Sequence, residues 1–147
     1  EIVVVGMNNQ TPYFTYNLAS NLLPPQGYWV LGTRDDSSSI TAFINETMAG
    51  VASLQNGPND GVYLRLKSDF SVIIDSVSYE GAGAHPAGAP DTGDAGTDPG
   101  NAMDLSLSRI PDGQDTNDNS SDFKLQKSTP GATNSPSSDI GTGLSLH

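Results

Sequence analysis

The sequence predicts an all-β fold, an antiparallel sandwich or barrel, on three observations. Short runs rich in β-branched and aromatic residues recur through the first eighty positions. Turn-forming residues separate them, and 16 Gly and 10 Pro in 147 residues leave little room for long helices. Hydrophobic residues make up 35%, enough for one modest core, so a single domain is expected.

The candidate strands are EIVVV (1–5), PYFTYNL (12–18), GYWVLG (27–32), SITAFI (39–44), GVYLRL (61–66), FSVIID (70–75) and SVSYE (76–80). Between them lie Gly6 with Asn8 and Asn9, then LPPQG, RDDSSS and QNGPNDG, the last with both an Asn-Gly and an Asp-Gly step. In GVYLRLK, Val62, Leu64 and Leu66 alternate with Tyr63, Arg65 and Lys67, which predicts one buried and one wet face and a hairpin near Ser68 and Asp69. Trp29 reads as a core anchor on a central strand. The predicted core comprises Trp29, Val62, Leu64, Val72, Ile74, Val77, Leu107 and Phe123.

From Gly81 to Asn101 the sequence GAGAHPAGAPDTGDAGTDPGN has almost no large apolar side chains, and a long surface loop over 81–104 is expected. LSLSRI (105–110) and DFKLQK (122–127) follow as strands. The domain is expected over 1–134, with 135–147 a disordered tail or linker.

The formal charge is −11, from 17 acids against 6 scattered Lys and Arg, which argues against direct nucleic-acid binding. With no Cys there is no disulfide framework, thiolate zinc site or cysteine nucleophile. The longest apolar run, Ile2 to Val5, is too short to span a bilayer, so no membrane span is expected.

The stretch RIPDGQDTNDNSSDF (109–123) concentrates Asp and Asn. A helix-loop-helix calcium site fails here, because Ser120 stands where the turn glycine belongs and Gln126 where the bidentate glutamate belongs. Asp112, Asp115, Asn117, Asn119 and Asp122 remain candidate ligands of a different calcium site. The competing reading is that these side chains bond to nearby backbone N–H groups and build consecutive turns.

Catalytic signals are weak. His85 sits in the Gly/Pro-rich loop and His147 at the end of the tail, and neither has a framework to position a general base. Ser121 and Lys124 match S-x-x-K without its partner motifs, and GAGAHPAG lacks the spacing of a phosphate loop.

Taken in order, NGPNDGVYLR (56–65), VIIDSVSYEG (72–81), SLSRIPDGQDTNDNSSDF (106–123) and TPGATN (129–134), with LPPQGYWVLG (23–32) before them, resemble the lamin-tail domain family, and its bacterial extracellular branch most closely. The resemblance covers about residues 1 to 134. It implies an immunoglobulin-like β-sandwich in which Pro111-Asp112-Gly113 is a turn and Asp115 to Asp122 a self-bonded loop. EIVVV matches the second strand of the family pattern, which leaves open that the first edge strand is missing. The implied role is a non-catalytic accessory or interaction module of a larger secreted or cell-surface protein, such as an extracellular nuclease or phosphatase. Its partners would be other domains of that parent or a surface protein, and no cofactor is expected. The alternative is a calcium-dependent binding module, or a divalent-metal-dependent hydrolase fragment, using the acidic loop 112–122.

Overall fold

A computed structural model of the chain describes residues 2–18, 23–33, 39–51, 53–55, 57–97 and 105–136. The fold is all-β, and its largest sheet is antiparallel. Strands β1 (Ile2–Asn8), β2 (Thr11–Asn17), β5 (Asp60–Leu66) and β6 (Ile73–Tyr79) form a four-stranded sheet in the order β2-β1-β5-β6. Two small sheets accompany it. One is a parallel pair of β3 (Leu31–Thr33) and β4 (Glu46–Met48); the other is an antiparallel pair of β7 (Leu105–Arg109) and β8 (Phe123–Lys127). A single helical turn, α1 (Asn119–Asp122), leads directly into β8.

The IVVVGM run becomes the central strand, and Val3, Val4, Val5 and Met7 are all buried because sheet neighbours flank it on both sides. Val3, Val5 and Met7 pack with Tyr63 and Ala84 in the main core cluster, and Ile73 packs against it. Burying each of the valines contributes on the order of 2 kcal/mol. Ala84 belongs to the glycine-rich segment, so that segment lies over this face of the sheet. The segment forms no named strand within its described part, yet Ala84, Asp91 and Ala95 are buried. Small side chains lack area but allow close approach, and hydrogen bonds to β6, from Ala95 N to Ser78 O, from the Ser78 hydroxyl to Gly93 O and from Ser76 N to Asp91 Oδ2, hold the segment in place.

Several expectations need correction. SITAFI is no strand: Ser39–Phe43 forms a 3-10 helix, closed locally by Ile44 N donating to Thr41 O at 3.3 Å. FSVIID and SVSYE are not separate strands. Asp69 to Val72 forms the turn, with Ser71 N donating to Asp69 Oδ1 and Val72 N to Asp69 O, and a single strand begins at Ile73. Only Leu31 and Gly32 of GYWVLG lie in a strand, and Trp29 precedes it, half-buried, with Nε1 donating to Glu46 Oε2 at 3.1 Å.

The predicted core is shallower than expected. Val72 and Ile74 are each 41% exposed, the first because it lies in the turn. Ile74 is the extra residue of a bulge, since Leu64 pairs with Asp75 and Arg65 with Ile73, which turns it outwards. Trp29, Val62, Leu64, Val77, Leu107 and Phe123 are half-buried. In β5 the most buried aromatic or aliphatic side chain is Tyr63, on the face expected to be wet. Every residue of β5 is buried or half-buried, so both of its faces are partly covered and alternation alone could not choose between them.

Candidate functional site

The acidic stretch folds onto the outer edge of β6, the strand at one side of the large sheet. Pro111 to Gln114 is a turn, with Gln114 N donating to Pro111 O at 3.0 Å and Gly113 at φ +70°. Asp115 Oδ1 then accepts Asn117 N at 3.0 Å, and Asn117 takes a left-handed conformation that asparagine tolerates. Asp118 caps α1: its Oδ1 accepts the backbone N–H of Ser120 at 3.1 Å and its hydroxyl at 2.6 Å, and Oδ2 accepts the Ser121 hydroxyl. These hydroxyl and backbone donors hold the Asp118 carboxyl below the usual carboxylate range.

That turn sets Asn119 against the sheet. Asn119 is fully buried, its Oδ1 accepts Ser78 N at 2.9 Å and its Nδ2 donates to Ser76 O at 3.1 Å. The side-chain amide therefore pairs with the strand edge as a neighbouring peptide group would. Beside it, Asp91 Oδ2 accepts Ser76 N at 3.4 Å, Ala95 N donates to Ser78 O, and Glu80 N donates to Gly96 O. Gly93 makes this closure possible. It sits at φ +80°, and a Cβ there would lie 2.6 Å from Asp118 Oδ1.

Asp122 is fully buried and accepts Thr116 N at 2.8 Å, Thr116 Oγ1 at 2.8 Å and Gln114 Nε2 at 3.3 Å. Burial pushes its carboxyl up, but the Thr116 and Gln114 donors, with the nearby Arg109 charge, outweigh it and leave the group below its ordinary value. Asp112 turns elsewhere. Its Oδ2 accepts the Tyr28 hydroxyl at 2.6 Å and its Oδ1 accepts Asn134 N at 3.1 Å, tying the loop to the TPGATN segment.

The five residues singled out as calcium candidates thus point to separate tasks. Asp112 faces Tyr28 and Asn134, Asn119 the β6 edge, and Asp122 the Thr116 turn, while Asp115 and Asn117 form their own turn. Of the five, only Asp115 joins a tight carboxylate group. Its partners there are Asp75 from β6 and Asp91, whose carboxylate oxygens lie with its own within 4.8 Å of one another. Nothing in the sequence spacing brings positions 75, 91 and 115 together.

Arg109 stands among these three. Its Nη2 lies 2.7 Å from Asp75 Oδ1 and 3.5 Å from Asp91 Oδ1, its Nη1 lies 3.3 Å from Asp115 Oδ1, and its guanidinium covers the Phe123 ring at 5.1 Å. One planar cation serves as hub for three acids. Asp91, with no exposed side-chain surface, is pushed up to about 6, first by burial and then by the Asp75 and Asp115 charges, which Arg109 only partly offsets.

A serine and a histidine also meet, unforeseen from sequence. Ser78 Oγ lies 2.9 Å from His85 Nε2, but Gly93 O accepts both the Ser78 hydroxyl at 2.7 Å and His85 Nε2 at 3.0 Å. With Nε2 as donor, the basic lone pair is on Nδ1, which is buried without a partner and faces away from the serine. Ser78 has no exposed surface, so this pair is a structural clasp between β6 and the glycine-rich segment rather than a nucleophile and its base. His147 lies outside the described residues.

No helix among the described residues is long and apolar enough to cross a membrane. No family model, no curated protein and no solved structure matches this chain.

Proposed function

We propose that this chain is a non-catalytic accessory or interaction module, an immunoglobulin-like β-sandwich of the lamin-tail kind, carried by a larger secreted or cell-surface bacterial protein such as an extracellular nuclease or phosphatase. The observation that carries the reading is the employment of the polar residues. Of the side chains that could do chemistry, Asn119, Ser78 and His85 tie the segments around 81–97 and 111–123 to β6, Asp118 and Asp122 build turns within their own loop, and Asp112 ties that loop to Tyr28 and Asn134. The motif order from NGPNDG to TPGATN and the acidic composition support the family and the extracellular setting.

The test is an activity screen of the purified chain against single- and double-stranded DNA, a phosphate monoester and a phosphodiester, with and without magnesium, calcium or manganese. No turnover above background is the expected outcome. Turnover at an enzyme-like rate that disappears in Asp91→Asn or Asp115→Asn would overturn the reading.

A second reading is supported by the Asp75, Asp91 and Asp115 group: a divalent cation could be held there in place of the Arg109 guanidinium. It needs Arg109 to leave a hub in which it already meets all three acids, and so it ranks below the first.

A further inference from the structure

Among the described residues β7 has one strand partner, β8. Ile110 N donates to Asp122 O at 2.9 Å, and antiparallel pairs alternate between bonded and non-bonded, so the backbone groups of Ser106 and Ser108 turn towards β8. Those of Leu107 and Arg109 turn away from it. A groove of about 490 Å³ runs along β7, lined by the four consecutive residues Ser106 to Arg109, by Phe123 at the start of β8, and by Ser128, Thr129, Pro130 and Asn134. Successive side chains of a strand point to opposite faces, so a depression touching four in a row follows the length of β7 and reaches its backbone.

The groove's charged lining is Asp112 and Arg109, and the Arg109 guanidinium is outnumbered by the three carboxylates it meets, Asp75, Asp91 and Asp115. Lys124 and Lys127 belong to β8, and the Lys124 ammonium donates to Ser120 O. The chain as a whole carries −11, which disfavours a second copy as the occupant.

We propose that the edge of β7 left without a strand partner among the described residues takes up an extended, lysine- or arginine-bearing peptide strand of a partner protein by strand addition. The partner's main chain would exchange hydrogen bonds with Leu107 and Arg109, and its basic side chains would meet Asp112 and the surrounding acids. The proposal rests on the interaction-module reading and names the ligand class for it. The β6 edge is closed by the chain's own Asn119 and the 91–96 segment, whereas β7 offers its donors and acceptors beside an open groove.

The experiment uses the isotopically labelled chain and a pool of nonapeptides in which Lys alternates with Val, Ile or Thr. Two control pools are titrated in parallel, one N-methylated at every second residue in both registers and one with Glu in place of Lys. The expected result is a shift and slowed exchange of the Leu107 and Arg109 amides with the Lys pool, and binding weaker by about tenfold or more for each control. Asp112→Asn should weaken the Lys pool several-fold. The proposal is overturned if the Lys pool leaves both amides unmoved or if the methylated pool binds equally well. Concentration-dependent self-pairing at those amides without peptide would also overturn it, in favour of a second copy. Because the protein is unaltered in the peptide comparison, failure here is distinct from failure of the module reading, which falls to hydrolytic activity.

Discussion

Asn119 and Ser78 lie 41 positions apart, and the side-chain carbonyl of the first accepts the backbone N–H of the second at 2.9 Å in a fully buried contact. Through this bond and its companion to Ser76 O, a loop that reads in sequence as a run of turns becomes part of the sheet edge.

Replacing Asn119 by Ala should leave Ser78 N–H and Ser76 C=O buried without their partners, at a cost of about 2–4 kcal/mol for the two. Asn119→Asp keeps an acceptor for Ser78 but loses the donor to Ser76 and puts a second carboxylate beside Asp91, so it should not rescue. Urea unfolding of the three proteins measures this, and an Asp variant as stable as the parent would refute the amide-pairing account.

Asp60 is 1% exposed, and neither of its carboxylate oxygens has a hydrogen-bond partner. Burial raises its pKa above the ordinary value. A folded-state pKa above the unfolded one means that the folded chain binds the extra proton. Stability is then greatest below about pH 4 as far as this group is concerned, and falls as pH rises through the folded value. Asp60→Asn should raise the neutral-pH Tm and flatten this part of the Tm-pH profile. A lower Tm at pH 7 in the variant would contradict it.

Asp91, pushed up to about 6 by burial and by the Asp75 and Asp115 charges, should titrate near that value in carbon-detected NMR of the side-chain carboxyl. The sign is the same as for Asp60: its contribution to stability is lost between about pH 4 and about pH 6 as pH rises. Asp115→Asn removes one repelling charge and should move the Asp91 midpoint downwards. An unchanged midpoint would mean that the two carboxylates do not interact as their placement implies.

Melting the chain in chelator and then in millimolar calcium tests the acidic loop directly. The side chains of Asp112, Asn119 and Asp122 are bonded to three different parts of the fold, so a shift below about 1 °C is expected, whereas binding well under the applied concentration would raise Tm by several degrees. A rise of that size, lost in Asp115→Ala, would favour a cation among Asp75, Asp91 and Asp115 instead.

The all-β class, strand formation over the IVVV run, the β7 and β8 strands and the turn-forming character of the acidic stretch were legible in the sequence. Each follows from local preference: β-branched runs, turn residues, and short polar side chains beside their own backbone. Depth and company came from packing between distant parts of the chain. The bulge at Ile74, the inward face of Tyr63 and the half-burial of Trp29 depend on which strands became neighbours, a choice that alternation within one strand does not encode. The gathering of Asp75, Asp91 and Asp115 around Arg109 is likewise non-local, since it appears only once β6, the glycine-rich segment and the acidic loop are stacked edge to edge. A hydrogen bond or ion pair between distant positions leaves no periodic trace in the chain, and here such contacts close the sheet edge that the strand pattern alone leaves open.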